Sequence, residues 1–214
     1  MFDVFVQSMG LNGADLIVDV GATSDQIYDG SNYLEAWYCR PSQITAVGIG
    51  DASFLTSRYP GVRFVQADGC RLPFKDNSFE VAHSSAVLEH VGSRSNQVEF
   101  LSELSRVARK GLFVTTPNRW FPVEFHMVLP LLHWLPMRTY RKLLSAVGER
   151  FYATEENLHL LSRNDLAAAA KAAGIADFEV TSVSLLGWPA NLLLISRKRT
   201  VGLKAALENR GCIS

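Results

Sequence analysis

The chain has 214 residues, enough for one well-buried domain and too few for two. Its 21 basic and 21 acidic side chains cancel, so the whole chain has no long-range field that would attract DNA, RNA or an anionic membrane. We therefore expect no nucleic-acid partner.

Targeting and metal signals are missing from the sequence. Residues 1–10 contain an acidic residue and no basic one, unlike a signal peptide. The most apolar window, 121–137, is interrupted by prolines, histidines and a glutamate, so we expect no integral membrane segment. The three cysteines lack the CxxC spacing of a zinc site, and no metal is predicted. A cytoplasmic protein is the resulting expectation.

Short apolar runs alternate with helical patterns along the chain. The runs that predict strands are residues 16–20, 44–49, 62–67, 79–84, 112–116, 178–185 and 191–196. Helices are predicted at 97–108, with Lys110-Gly111 as its stop, at 166–173 after a start at Ser162, and briefly between Asp51 and Pro60. The last two strands are closely connected, which favours an antiparallel pair at the sheet edge.

This order predicts one α/β domain over residues 1–214, a three-layer sandwich of the Rossmann-like kind. Its sheet is expected to be mostly parallel and seven-stranded, with an antiparallel edge strand. Ligands of such sheets bind outside the carboxyl ends of the strands, where the strand order reverses.

Three loops at that end contain candidate ligand-binding residues. The turn at Gly21 is small enough for a ligand to approach the backbone, but it is not the G-x-G-x-x-G turn of a dinucleotide site. Asp51, after the second strand, is suited either to the hydroxyls of a ribose or to capping a helix, and the two roles can coexist. Asp68, after the third strand, can accept a hydrogen bond from an exocyclic amine such as that of adenine.

Four motifs together resemble the class I S-adenosylmethionine-dependent methyltransferases, most closely those of the ubiquinone and menaquinone biosynthesis type. They are Val18-Asp19-Val20-Gly21-Ala22, Asp51-Ala52-Ser53, the stretch from Asp68-Gly69 through Leu72-Pro73-Phe74 to Asp76-Asn77-Ser78-Phe79-Glu80-Val81, and Val87-Leu88-Glu89-His90-Val91. The resemblance covers about residues 16–198. It implies S-adenosylmethionine as cofactor and S-adenosylhomocysteine as product.

The resemblance also implies a cofactor-binding set. Asp19, Gly21 and Ala22 would line the methionine and ribose side, Asp51 the ribose, Asp68 and Gly69 the adenine, Ser84 and Ser85 the floor under the sulfonium, and His90 the pocket edge, with Thr23 and Ala52 completing the set. The chain departs from the family at Thr23 and Asp25, where glycines are usual, and in the aromatic-rich insert 26–43.

Residues 119–160 follow the fifth strand, where substrate should arrive, and are rich in aromatic and aliphatic side chains. They are expected to form a cap over an apolar or amphipathic small molecule, or else to pack on their own domain or on a second subunit in a homodimer. For a hydroxyl acceptor a base is required. His126 is the first candidate, with Glu124 to orient it and His133, His90 or His159 in reserve.

The sequence thus predicts a small-molecule methyltransferase, acting on oxygen. Two alternatives stay open at this point. One is a catalytically silent binding module whose glycine loop has drifted, and the other is a nicotinamide-dependent oxidoreductase, disfavoured because the glycine fingerprint and a Tyr-x-x-x-Lys pair are missing.

Overall fold

The computed structural model describes residues 1–27, 30–123, 131–146, 148, 154 and 158–198, with only the backbone of Met137. The strands are β1 Ile17–Val20, β2 Ile44–Gly48, β3 Arg63–Gln66, β4 Phe79–Ser85, β5 Ala108–Pro117, β6 Phe178–Leu185 and β7 Trp188–Arg197. The helices are α1 Phe2–Met9, α2 Tyr33–Trp37, α3 Phe54–Arg58, α4 Arg94–Val107, α5 Met137–Ala146 and α6 Arg163–Ala172. Short 3₁₀ turns lie at Pro41–Gln43, Leu88–His90 and Leu132–Trp134.

The seven strands form one sheet in the order β3-β2-β1-β4-β5-β7-β6. Neighbouring strands from β3 to β5 pair in parallel, whereas β7 is antiparallel to both β5 and β6. The predicted hairpin at the sheet edge is therefore confirmed. The strand that runs antiparallel to the others is β7, which lies next to the edge strand β6. The strand order reverses between β1 and β4, which opens a crevice at their carboxyl ends.

Helices cover both faces of the sheet and make the third layer of the predicted sandwich. Val18 and Val20 of β1 point to the face on which α4 and α6 pack, with Phe100, Leu104 and Ala169 in that core. The alternate residue Ile17 joins the opposite core, where α1, α2 and α3 contribute side chains such as Phe5, Leu34 and Leu55. This alternation is the period-two burial of a strand covered on both sides.

The predicted start of α6 is confirmed, whereas the predicted stop signal of α4 is wrong. Ser162 begins α6 with a capping box, in which its side chain accepts from the Asp165 N–H while the Asp165 side chain accepts from the Ser162 N–H. The expected stop of α4 at Lys110-Gly111 is wrong, because the helix ends at Val107 and β5 begins at Ala108. Gly111 lies inside the strand, where an added Cβ would stand 2.0 Å from the Ser196 carbonyl oxygen of β7.

Three helices were not predicted from the sequence: α1, α2 and α5.

None of the helices in the described part of the chain is both long and apolar enough to cross a bilayer. Of the expected cap at 119–160, the structure describes residues 119–123 and 131–146 together with 148, 154 and 158–160.

Candidate cofactor site

A cleft of about 670 Å³ lies at the carboxyl ends of β1 to β4, within the size range of small-molecule sites. Each of the four loops that follow these strands contributes small residues to its wall. The lining residues that the sequence had singled out are Gly21, Ala22, Thr23, Asp68, Gly69 and His90. The cleft therefore stands where the strand order reverses, as expected for this kind of sheet.

The loop after β1 turns sharply at Gly21. Its φ of +122° favours glycine, and an added Cβ would stand 2.0 Å from Cγ2 of Val87. The N–H groups of Gly21 and Ala22 both donate to the Val47 carbonyl oxygen, at 2.8 and 2.9 Å. Gly21 is thus required by the close approach of Val87, which itself lines the cleft.

Asn32 holds the next part of this loop. The Thr23 N–H donates to Asn32 Oδ1 at 3.0 Å, and Asn32 Nδ2 donates to the Thr23 carbonyl oxygen at 3.1 Å. The buried Asn32 side chain thus pairs with both backbone groups of Thr23, as a neighbouring strand would. Asp25, in turn, accepts from the Ile27 N–H and the Ser31 hydroxyl. The two residues that replace the family's glycines are therefore part of an ordered hydrogen-bonded loop.

Asp51 and Ala52 follow β2 on the outer side of the cleft and are not among its lining residues. Asp51 is fully exposed, and its Oδ1 accepts from the Ser53 N–H at 2.9 Å, which lowers the pKa of the carboxyl. This bond forms a turn before α3 and is not a helix cap, because the N-cap residue of α3 is Ser53 and no side chain caps the helix. The expected capping role of Asp51 is therefore wrong. Ala52 is buried in the core, while Ile49 and Gly50 line the cleft.

Asp68 and Gly69 follow β3 and line the opposite wall of the cleft. Asp68 is exposed, and its Oδ1 accepts from the Cys70 N–H at 2.9 Å, which fixes the turn. At Gly69 an added Cβ would stand 2.4 Å from the Phe100 ring of α4. Glycine here lets α4 pack directly against the end of β3.

The loop after β4 closes the cleft through Val87, His90 and Val91. Ala86 also lines it and adopts a left-handed φ of +55°, a strained conformation of the kind that is concentrated at functional sites. Behind this loop, the buried Glu89 accepts from the Thr116 hydroxyl at 2.8 Å. His90 is exposed at the edge of the cleft.

Ser84 and Ser85 point to different sides of the sheet. Ser84 is completely buried, lines neither the cleft nor the smaller pocket beside it, and its hydroxyl has no hydrogen-bond partner among the described residues. The Ser85 hydroxyl shares a hydrogen bond of 3.0 Å with that of Thr115. Ser85 faces the smaller pocket, of about 10 Å³, which is roughly the room that one water requires.

That smaller pocket overlies a buried polar cluster that the sequence did not reveal. His83 Nδ1 lies 2.5 Å from Asp19 Oδ1, and the Tyr33 hydroxyl lies 2.8 Å from His83 Nε2. With Asp19 ionised, the Nδ1–H of His83 donates to Asp19 and Nε2 accepts from Tyr33. Glu35 is buried beside Asp19. Asp19, expected to line the cofactor, is thus mostly enclosed and hydrogen-bonded within the fold.

Burial sets the protonation of this cluster. It raises the pKa of Asp19 to about 7 and lowers that of His83 to about 4, so His83 is neutral near pH 7. Burial, and then the negative charge of Asp19, raises the pKa of Glu35 to about 9. Burial also raises the pKa of Tyr33, which stays a hydrogen-bond donor. The aromatic-rich insert was the signal for this cluster, since Tyr33 and Glu35 both come from it.

The predicted base His126 and its partner Glu124 lie outside the described residues. Among the reserve candidates, His133 is buried and its Nε2 donates to the Phe121 carbonyl oxygen at 2.7 Å. The backbone of His159 is fixed by donation from its N–H to the Glu89 carbonyl oxygen at 2.7 Å. Among the candidate histidines that the structure describes, only His90 lines the cleft.

The strand order with its antiparallel β7 is a fold shared with the solved S-adenosylmethionine-dependent methyltransferases described below. Residues 30–115 match the family described as "Methyltransferase domain". The match begins after the β1 loop, where the chain departs from the family pattern. Over these residues, and with the relatives below, the match confirms the resemblance to S-adenosylmethionine-dependent methyltransferases.

The curated relatives are two proteins from Mycobacterium tuberculosis strains, each named "Probable S-adenosylmethionine-dependent methyltransferase". Each is 36% identical over 85 residues, which are 38% of this chain and 30% of the relative. The matched region therefore spans less than a third of the length of these relatives.

Solved structures share the fold over nearly the whole chain. A Methanosarcina mazei S-adenosylmethionine-dependent methyltransferase covers 92% of this chain and 98% of its own, at 20% identity and a TM-score of 0.56. The Burkholderia thailandensis 1,6-didemethyltoxoflavin-N1-methyltransferase, solved with that compound and S-adenosylhomocysteine, covers 92% of this chain and 76% of its own, at 17% identity and a TM-score of 0.57. The YcgJ protein of Bacillus subtilis covers 92% and 97%, at 13% identity and a TM-score of 0.61.

The buried carboxyl of Glu35 generates a stability prediction. Its ordinary pKa is 4.5 and its folded pKa is about 9, so in this window the folded chain holds a proton that the unfolded chain has released. The free energy of unfolding should therefore fall as pH rises. Glu35→Gln removes the part of this dependence that belongs to Glu35, and the part that belongs to Asp19 remains between about pH 4 and about pH 7. The variant should gain stability over the wild type, on the order of 1 kcal/mol or more, between about pH 6 and about pH 9.

The measurement is urea unfolding of both proteins at several pH values. The matched control is Glu179→Gln, on the exposed side of β6, which should follow the wild type. Parallel pH profiles for wild type and Glu35→Gln would mean that Glu35 is not protonated in the folded protein.

Proposed function

We propose that this protein transfers a methyl group from S-adenosylmethionine to a small-molecule acceptor, with oxygen as the accepting atom. The observation that carries the proposal is the cleft at the strand reversal, lined by Gly21, Asp68 and the loop from Val87 to Val91. The same fold in the Burkholderia enzyme holds S-adenosylhomocysteine and a small heterocyclic compound, which supports this kind of ligand for the cleft.

The residues of the cleft fit a nucleoside with an amino-acid tail. Asp68 is an exposed acceptor at the end of β3, suited to the exocyclic amine of adenine, with Gly69 leaving the adjacent wall free of a side chain. The cofactor has no phosphate, so a loop with fewer glycines and fewer free N–H groups is still compatible with it. We assign the methionine and ribose side to Gly21, Ala22 and Thr23, and retain Asp51 for the ribose hydroxyls.

When bound, S-adenosylmethionine supplies a methyl group on a positively charged sulfur, ready for in-line attack. The rate then depends on how well the protein aligns the acceptor oxygen with the methyl carbon. A hydroxyl acceptor must also lose its proton, and we assign this to His126, oriented by Glu124. The segment 119–160 would enclose an apolar or amphipathic acceptor at the carboxyl end of β5.

Asp68→Ala tests the adenine contact. Losing a hydrogen bond to a charged acceptor should raise the dissociation constant of S-adenosylhomocysteine about tenfold or more. Titration calorimetry measures it, with Asp177→Ala, an exposed aspartate before β6, as the matched control. Equal affinity for wild type and Asp68→Ala would remove Asp68 from the site.

Asn32→Ala tests whether the position of the loop after β1 matters for binding S-adenosylhomocysteine. The variant loses both hydrogen bonds to Thr23, so the loop samples other positions. The dissociation constant of S-adenosylhomocysteine should rise by up to about 30-fold, at roughly 1 kcal/mol for each of the two bonds. Asn12→Ala is the control, because Asn12 makes only local turn contacts with Ala14 and Asp15. If Asn32→Ala lowers the melting temperature but leaves the affinity unchanged, Asn32 serves the fold alone.

His126→Ala tests the base. Removing a general base should lower turnover by about 100-fold while leaving S-adenosylhomocysteine affinity intact. Transfer of a radiolabelled methyl group into a panel of hydroxylated lipids and sugars measures turnover, and Glu124→Gln should give a smaller loss. Unchanged turnover in His126→Ala would exclude this histidine from the role.

A further inference from the structure

Large apolar side chains are exposed together beyond the carboxyl ends of β5 and β6. We refer to six of them as the Trp-Leu patch: Trp120, Leu131, Leu135, Leu185, Leu186 and Trp188. Each is at least 38% exposed, and Leu186 is 100% exposed. Exposed apolar groups that cluster in this way mark surfaces that bind a partner.

Direct contacts link the parts of the patch to one another. Trp188 Nε1 donates to the Trp120 carbonyl oxygen at 3.2 Å, and the Trp120 ring lies 6.2 Å from that of Trp134. Leu185 pairs with Trp188 across the β6–β7 hairpin. The patch therefore joins the hairpin tip to the segment after β5.

The tip of that hairpin has an unusual sequence for its conformation. Only Leu186 and Gly187 connect the strands, and both have positive φ, +52° and +81°. A two-residue turn of this type favours Asn-Gly or Asp-Gly, because a bulky side chain is strained at positive φ. Leu131 is likewise a leucine at positive φ, +61°, with half of its surface exposed.

Contacts among the described residues do not explain Leu186. Leu186 is fully exposed, so it gains no burial that would offset its strain and its contact with water. Strain that persists at an exposed apolar position is a reason to look for a function there. A partner that removes Leu186 from water would supply the missing stabilisation.

The charge beside the patch indicates what that partner is. Arg138 and Lys142 are exposed one turn apart on α5, directly after Leu135. The Arg119 guanidinium lies 5.4 Å from the centre of the Trp120 ring. Although the whole chain is neutral, Arg138 and Lys142 therefore present positive charge in the same segment that carries Leu131 and Leu135.

We propose that the Trp-Leu patch binds the surface of an anionic lipid bilayer. Leu186 and the tryptophans enter the boundary between headgroups and acyl chains, where tryptophan is favoured, and Arg138 and Lys142 contact the acidic headgroups. The patch lies at the same end of the sheet as the cofactor cleft. The binding itself does not depend on methyl transfer, so its test is separate from that of the proposed function.

Vesicle sedimentation and tryptophan fluorescence test this proposal with the whole chain. The probes are vesicles of phosphatidylcholine alone and vesicles in which a third of the lipid is phosphatidylglycerol. The wild type should sediment with the acidic vesicles, less so at high salt, and its tryptophan emission should shift to the blue. Arg138→Gln with Lys142→Gln should lower the partition coefficient by about fivefold for each charge removed.

Leu186→Asn is the decisive variant. Because Asn-Gly suits this turn, the variant should melt at the wild-type temperature or above it, yet its partition onto acidic vesicles should fall about fivefold or more. Trp37→Phe is the control, since Trp37 is exposed on α2 outside the patch, and it should bind vesicles as the wild type does.

Three results would overturn the proposal. They are a wild type that stays in the supernatant with both kinds of vesicle, a Leu186→Asn variant that sediments as the wild type does, and a wild-type dimer in solution that Leu186→Asn converts to a monomer. The last result would assign the patch to a second copy of this chain.

Discussion

The hydrogen bond between Asp19 and His83 joins the two strands between which the sheet reverses its order, and the site depends on it. Asp19 stands on β1 and His83 on β4, and Tyr33 extends the same network to the insert before β2. A carboxyl group in such a position must be partnered or neutral, because burying an isolated charge is costly. The network meets this requirement and fixes the insert over the end of β1. From that position Asn32, one residue before Tyr33, can hold Thr23 at the wall of the cleft.

Much of this architecture could be predicted from local pattern. The strands of 4 to 10 residues were identified because apolar runs of that length are typical of a sheet covered on both faces, and α4 and α6 because their apolar residues repeat with helical spacing. By contrast, α1 has no side-chain cap at its start, and α2 has only five residues. Short helices of this kind are stabilised by packing on the core, which no local pattern displays.

The lining of the cleft was predictable where it depends on loops at strand ends, as at Asp68, Gly69 and His90. It was not predictable where it depends on contacts between distant parts of the chain. Asp19 and His83 are 64 residues apart, and their pairing follows only from the register of β1 beside β4. Gly21 was expected to let a ligand approach the backbone, and Gly69 to line the adenine. Both residues line the cleft, and the lack of a Cβ at each also makes room for Val87 and Phe100. The altered glycine loop and the aromatic insert, which look like two separate departures from the family, are one hydrogen-bonded unit.

This unit explains how a chain with Thr23 and Asp25 in place of glycines can retain a cofactor cleft of ordinary size. The central claim is that the cleft still binds S-adenosylmethionine and its product. Titration of the wild-type protein with S-adenosylhomocysteine, with NADH titrated in parallel, tests it most directly. The account predicts saturable binding at one site per chain, with a rise in melting temperature, for S-adenosylhomocysteine alone. No heat and no thermal shift at millimolar S-adenosylhomocysteine would contradict it.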